Sequence, residues 1–334
     1  MISKKSKGLI PELSQESVVF DKDRLVSFIE HNMSQLSLQE LVGMITNRYK
    51  EILEYIDLCN GLNTCQKTSL LFNPHRLETR SHSSKCSVYS ALSHEKIKYS
   101  RGLARTMLSK RNRWTEVLYQ SIAWSIEGVQ YIGEFPPHKA RDIAKHYKVN
   151  SKSSVLDPCA GWGGRMIGVS VVCDNYTAFE PSSLTFAGLK KLEAYLQSFS
   201  VDFSADLHMV PFENARLVKE SFDFALTSPP YYNTELYSDE ISNSLNRYKD
   251  FDEWCSGFYI PMIKKTMRYL KDGSVFILNI GSRKYPLNDV LFDVFSDRFQ
   301  IRKQTKFTLG GKGGLGKKGE GETFYEIRKD NPKK

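Results

Sequence analysis

The sequence lacks any run approaching the roughly 18 apolar residues a membrane-spanning helix needs, so no transmembrane helix is expected. The basic start, MISKKSKGLIPELSQ, is not followed by the apolar core of a secretion signal, and a cytoplasmic protein is expected. Six cysteines (59, 65, 86, 159, 173 and 255) are scattered with no CxxC pair, which suits free thiols in a reducing compartment better than a disulfide framework. Cys59, Cys65, His75, His82, Cys86 and His94 crowd one region but match no standard zinc spacing, so no metal site is expected. No GK[ST] phosphate loop is present, and the glycine cluster that separates a strand from a helix, at 161–164, does not follow the dinucleotide fingerprint GxGxxG. Acidic residues, 38 in all, are outnumbered by 47 lysines and arginines. The formal charge is +9 and the pI about 9.1, which favours an anionic partner, nucleic acid being the commonest.

The 334 residues suffice for one large or two moderate domains. DKDRLVSFIEHNM (21–33) and SLQELVGMITNRYKEILEYI (37–56) carry apolar residues at helical spacing, with Asp21 and Ser37 as N-caps. Residues 60–95 are polar and show no period. Between Lys96 and Arg113 stand seven basic residues and no acidic one, Arg101, Arg105, Lys110 and Arg111 among them. That stretch reads equally as a solvated helix face or a phosphate-contacting one.

From about residue 150 strands and helices alternate. SSVLDP, YTAFEP, DLHMV, SFDFALT and GSVFILNI read as strands; RMIGVSVV, SSLTFAGLKKLEAYLQSF and FDEWCSGFYIPMIKKTMRYL read as helices, the last interrupted near Pro261. RFQIRKQTKFTL and TFYEIRK flank a Gly-Lys loop and form a hairpin. Repeated βα units of this kind predict a mostly parallel sheet covered by helices on both faces, with an antiparallel strand at the end.

Three short motifs carry chemistry. LDPCAGWGGR (156–165) lies between a strand and a helix, where open α/β sheets bind ligands. Its glycines admit close backbone approach, and Asp157 at the strand end can accept a hydrogen bond from a ligand ammonium group. Glu180 ends the next strand about 20 residues on, where ribose hydroxyls are gripped in nucleoside-binding sheets. TSPPYY (227–232) follows a buried strand, and its consecutive prolines stiffen the chain and remove two backbone donors. Each alone also fits a blander role: a tight turn, a common strand-end acid, a rigid loop with packed tyrosines.

In this order, and with DPCAGWGG and SPPY about 70 residues apart, the motifs resemble those of the S-adenosylmethionine-dependent DNA amino-methyltransferases. Enzymes of that family modify cytosine N4 or adenine N6. They carry a DPFAGSG-like turn for the cofactor and a [DNS]-P-P-[YFW] turn for the base. EFPPHKARDIAKHY (134–147) is similar to the family segment over the methionine end of the cofactor. The resemblance covers about 130–330. It implies a Rossmann-like methyltransferase sheet, mostly parallel with a terminal antiparallel hairpin, in a domain over 114–334. A mainly helical, partly basic region over 1–113 would precede it.

The resemblance further implies S-adenosylmethionine as cofactor and DNA as partner, as in site-specific restriction–modification methylation. The cofactor's methionine portion would be held by Asp157, Cys159, Gly161 and Gly163 with Phe135 and Pro136, its ribose by Glu180, and its adenine by Glu213. Ser228-Pro229-Pro230-Tyr231 would hold the base. Ser before Pro-Pro leans toward cytosine N4. An RNA base methyltransferase is the alternative, and a catalytically inactive nucleic-acid-binding partner subunit is another. Two residues depart from the family pattern: Cys159 stands where Phe is usual, and Trp162, where a small residue is usual, could narrow the pocket.

Sequence recognition is expected from 1–113 together with 233–250, and phosphate contact from the loop 310–321 with Lys312, Lys317 and Lys318; residues 301–334 carry a net charge of +6. A solvated hairpin tip is the plainer reading of that loop. If it touches phosphates, deleting 310–321 weakens nucleic-acid binding and flattens its salt dependence. A titration at several salt concentrations measures this, and an unchanged salt slope excludes the contact.

Overall fold

The computed structural model describes residues 37–46, 48–65, 67–84, 86–93, 132–281, 284–309 and 322–329. The helix expected at 21–33, the basic stretch 96–113 and the loop 310–321 lie outside them. In chain order the regular elements begin with α1 (Leu38–Ile45), α2 (Arg48–Cys59), α3 (Thr68–Phe72), β1 (Arg80–Ser81) and α4 (Val88–Ser93). Then come α5 (Pro137–His146), β2 (Ser154–Asp157), α6 (Gly164–Val169), β3 (Asn175–Phe179), α7 (Ser183–Gln197), β4 (Ser204–His208), β5 (Phe222–Thr227) and β6 (Glu235–Leu236). The chain continues with α8 (Ser244–Arg247), α9 (Phe251–Trp254), α10 (Ile260–Tyr269), β7 (Leu270–Ile280), α11 (Leu287–Phe295), β8 (Phe299–Leu309) and β9 (Glu322–Lys329).

The main sheet has seven strands in the order β4-β3-β2-β5-β7-β9-β8. β9 runs antiparallel to both its neighbours, and the other pairings are parallel. This is the Rossmann-like methyltransferase sheet anticipated above, with one refinement. The last strand is inserted second from the edge, so the hairpin closes inward onto β7. Strand order reverses at β2, and that reversal opens a crevice at the carboxyl ends of β2 and β5.

Side-chain alternation sends successive residues to opposite faces. Val155, Leu226, Ile277 and Phe324 pack beneath α5, α6 and α7, while Leu156, Ala225, Phe276 and Tyr325 pack against the α9–α10 segment and α11. Both faces are covered, which is why the central strands read as continuous apolar runs.

Three local expectations are revised. Residues 37–56 form two helices: Ser37 caps α1 in a capping box with Glu40, and Thr46 then turns extended. The interruption near Pro261 is a π-helical turn over Cys255–Tyr259. Proline has no N–H for the carbonyl four residues back, and that carbonyl, on Gly257, accepts instead from the Tyr248 hydroxyl at 2.8 Å. Residues 60–95, aperiodic in sequence, contain α3, a 3-10 turn over Pro74–Glu78, β1 and α4. β1 pairs antiparallel with β6, so this segment is built onto the sheet domain.

α2 joins the core directly, Tyr55 and Leu58 belonging to the same cluster as Val155. The buried Arg141 of α5 donates from Nη1 to the carbonyls of Leu58 at 2.8 Å and Leu62 at 2.7 Å, at the end of α2. Arg141→Ala strips two carbonyls of a charged donor and is expected to cost about 2–4 kcal/mol. Urea unfolding measures it; a loss within about 0.5 kcal/mol, the size of a surface substitution, excludes this anchoring.

Candidate active site at the carboxyl ends of the central strands

The turn after β2 is organised by Asp157, which is fully buried. One carboxylate oxygen accepts from Arg165 Nε at 2.7 Å and the Tyr176 hydroxyl at 2.6 Å. The other accepts from the Thr227 hydroxyl at 2.7 Å and the Cys159 N–H at 3.2 Å. Arg165 also donates to the Cys159 carbonyl. Gly161 and Gly163 take left-handed backbone conformations, at φ +55° and +91°, which side chains disfavour. A Cβ on Gly163 would fall 2.5 Å from Leu192 and 2.9 Å from Leu189 of α7.

Beside this turn lies a cavity of about 510 Å³, within the size range of small-molecule sites. Phe135, Pro136, Cys159, Gly161, Glu180 and Glu213 reach its wall, and so do Ser228, Pro229, Pro230 and Tyr231. Asp157 and Gly163 do not. This corrects the expectation of direct ligand contact: the acceptors of Asp157 are taken by protein donors, and Gly163 faces α7. Both shape the wall from behind.

Three carboxylates arm the first part of the cavity. Glu180 accepts from the Ser182 N–H at 2.9 Å, and burial pushes its carboxyl up to about 7 against the opposing pull of backbone N–H groups. Glu213 pairs with Arg247 Nη1 at 2.6 Å, while its Oε2 is buried without a partner. Glu134 is held on Oε2 by the Ser69 hydroxyl and by Arg76 at 3.4 Å. Its Oε1 is likewise buried and unpartnered, and burial raises its carboxyl above the ordinary range. Buried acceptors without donors are costly in a folded protein and mark where a ligand's donors fit.

Of the two departures noted in the turn, Cys159 packs toward α10 with its Sγ 3.8 Å from Met262 Sδ. Trp162 lies edge-on to His75 at 5.4 Å and 6.1 Å from Tyr237. Its carbonyl accepts from Asn73 Nδ2 at 3.1 Å. The aperiodic segment 67–84 thus reaches the cavity through Trp162.

At the other part of the cavity β5 runs into Ser228-Pro229-Pro230-Tyr231. Ser228 Oγ lies 2.9 Å from the Tyr231 hydroxyl, which accepts from Asn279 Nδ2 at 3.3 Å. Tyr232, at φ +53°, inserts its ring among Tyr285, Phe251 and Trp254 at 4.9–5.8 Å. The aromatic cluster holds a backbone conformation that a tyrosine adopts only under constraint, and so fixes the end of the Pro-Pro turn. Glu235, Tyr237 and Glu322 complete this wall. The Tyr237 hydroxyl donates to Glu235.

Sequence reasoning missed Glu134, Arg165, Arg247, Glu235, Tyr237 and Glu322 as wall residues. Glu134 and Arg165 stand at the ends of the quoted motifs and were within reach; Glu322 carries no local signal. Arg101, Arg105, Lys110, Arg111, Lys312, Lys317 and Lys318 lie outside the described residues. The loop containing the last three joins Leu309 to Glu322, which pair across the hairpin. No group of three or more metal-ligating side chains occurs among the described residues, and none of their helices is long and apolar enough to cross a membrane.

No protein-family model and no curated protein matches the sequence. Among solved structures, the chain is similar to the tRNA (m1A58) methyltransferase of Aquifex aeolicus. The identity is 12%, the match covers 59% of this chain and 70% of that one, and the TM-score is 0.40. It is similar to an O-methyltransferase of Thermotoga maritima at 11% identity, covering 60% and 68% of the two chains, with a TM-score of 0.42. A putative methyltransferase of Streptococcus mutans, solved in complex with SAH, matches at 12% identity over 59% of this chain and 99% of that one, with a TM-score of 0.40.

The placement of Asp157 has a measurable consequence. Asp157→Asn leaves Arg165 charged, buried and unpaired, and is expected to cost about 3–5 kcal/mol. Adding Arg165→Met is expected to recover part of that loss. Urea unfolding of the ligand-free protein decides: a direct ligand contact predicts little change without ligand.

Proposed function

We propose that the protein transfers a methyl group from S-adenosylmethionine to the exocyclic amine of a nucleobase. DNA cytosine N4 is favoured and adenine N6 is the second target. RNA is the alternative polymer that the same motifs admit. The observation that carries this reading is one continuous cavity. It joins the glycine turn and its unpartnered carboxylate oxygens to the Ser228-Pro229-Pro230-Tyr231 corner.

The residues fit the cofactor by the chemistry of their donor and acceptor sets. Glu180 offers acceptors to ribose hydroxyls. The orphaned Oε2 of Glu213 offers one to an adenine amine. The orphaned Oε1 of Glu134 suits an ammonium, and the Arg165 guanidinium beside it suits a carboxylate. Bound there, S-adenosylmethionine supplies an electrophilic methyl carbon on a sulfonium.

The protein's share of the chemistry lies at the other wall. An exocyclic amine is a weak nucleophile because its lone pair is delocalised into the ring. Acceptors aimed at its N–H groups favour the pyramidal nitrogen and stabilise positive charge as it develops there. Ser228 Oγ and the Pro229 carbonyl would supply those acceptors, on a turn whose φ angles the prolines fix. Tyr231 offers a surface for a base taken out of its stack. Holding amine and methyl group in line then supplies much of the rate. Residues 1–113 and the loop 310–321 are the proposed phosphate and sequence contacts. A non-catalytic subunit is the competing reading, and it predicts no cofactor binding.

Incubation with labelled S-adenosylmethionine and mixed DNA and RNA, followed by nucleoside mass spectrometry, names polymer, base and atom together. Absence of both methyl transfer and calorimetric cofactor binding would overturn the proposal. Ser228→Ala is expected to lower methyl transfer by about 100–1,000-fold, the range for one transition-state hydrogen bond, while cofactor affinity stays within about twofold. Equal loss of both contradicts its assigned place.

A further inference from the structure

Glu322 stands on the wall facing the Ser228 corner, and neither the cofactor reading nor the Ser228 mechanism uses it. It opens β9, directly opposite Leu309 of β8, and β9 lies against β7. Asn279 of β7 donates through Nδ2 both to the Tyr231 hydroxyl and to Glu322 Oε2. One amide therefore sets the tyrosine and the carboxyl in fixed relation. Close approach at Gly281 does the rest. A Cβ there would fall 2.8 Å from Glu322 Cδ and 2.8 Å from Tyr231 Cε2, so both side chains lie against bare backbone.

The charged and titratable groups around Glu322 come from each element packed on it. Glu235 of β6 is the neighbouring carboxylate and itself accepts from Tyr237. Tyr231 of the Pro-Pro turn is next, and Arg165 of α6 acts on Tyr231 from across the cavity. Burial, with the Glu235 charge adding to it, pushes the Glu322 carboxyl up to about 7, against the opposing Asn279 hydrogen bond.

We propose that Glu322 recognises the amidine edge of the target base, the exocyclic amine with its adjacent ring imine nitrogen that cytosine and adenine share. This deepens the methyltransferase reading and rests on it. A carboxylic acid presents to that edge one O–H donor for the ring nitrogen and one oxygen acceptor that shares the ring-side amine N–H with the Pro-Pro turn in a three-centre bond. Oε2 has a second lone pair beside the one that Asn279 uses. The acid form is the complementary one, since an ionised carboxylate has no hydrogen for the ring nitrogen. Guanine presents two donors at its amine edge, N1–H and the amine, and is matched by the ionised form instead. Glu322 thereby sets both base choice and pH dependence. Below its pKa the acid predominates and the edge is bound; above it the donor is lost and transfer falls.

The test uses the full chain and the polymer found to accept methyl, with kcat/KM followed from pH 6 to pH 8.5, a window chosen as roughly 1 to 1.5 pH units on either side of neutrality. Wild type is expected to decline above about pH 7. Glu322→Gln, which carries a permanent donor and acceptor, is expected to remove that decline and to exceed wild type at the alkaline end. Glu322→Leu is expected to lose about 10–100-fold at every pH, the range for one bidentate base contact, with cofactor affinity and circular dichroism unchanged. A Gln variant as inactive as Leu at all pH values overturns the proposal, because the carboxylate would then act as a base. Methyl found on the guanine amine, or a Leu variant as active as wild type, overturns it too. If wild type modifies no nucleic acid, the methyltransferase reading itself has failed, a result distinct from any of these.

Discussion

The buried carboxylate of Asp157 is the contact on which the rest of the site depends. Its four donors come from two flanking strands, Tyr176 early in β3 and Thr227 at the end of β5, from the Cys159 N–H of the turn that Asp157 begins, and from Arg165 in the first turn of α6. Arg165 balances its charge and in turn fastens the Cys159 carbonyl. A buried ion pair recovers its desolvation cost only when its remaining hydrogen-bonding capacity is satisfied. Here it is satisfied by groups from both neighbouring strands, from the turn and from α6. The glycine turn and the Pro-Pro turn, about 70 residues apart in sequence, are registered against each other through Thr227.

Around that fixed edge the cavity concentrates acidic side chains despite a chain that is basic overall. Glu134, Glu180, Glu235 and Glu322 all have their carboxyls pushed upward by burial. Glu213 keeps a buried oxygen without a partner. Such an arrangement costs stability in the empty protein and suits a ligand rich in N–H, O–H and ammonium donors. Surface basicity and cavity acidity are separate devices. The first is a property of the whole chain's charge balance, and the second acts on the donors of whatever enters the site.

The helical segment preceding the sheet takes part in this construction. Ser69 and Arg76 hold Glu134, Asn73 holds the Trp162 carbonyl, and β1 pairs with β6 next to the Pro-Pro turn. No periodicity in residues 60–95 announces that role, because short helices and a two-residue strand leave too few repeats for a period. Their positions are set by what they touch, so the segment reads as loop until the sheet is in place.

Alternating strand and helix patterns, the glycine turn, the acid at the end of β3 and the rigid Ser-Pro-Pro-Tyr corner were legible in the sequence. Each is encoded within a few adjacent residues by backbone freedom, by proline's missing donor or by apolar spacing. Those features predicted the sheet, the family resemblance added Phe135, Pro136 and Glu213, and ten of the residues so selected line one cavity. Tertiary structure decided the direction each acid faces. Asp157 turns inward because Tyr176, Arg165 and Thr227 converge on it. Glu322 reaches the wall because β9 inserts beside β7, bringing together positions 94 residues apart from Ser228 by number alone. Local sequence fixes conformation over a turn or a strand; only strand pairing and long-range donors determine which carboxylate is consumed by the fold and which is left open to a ligand.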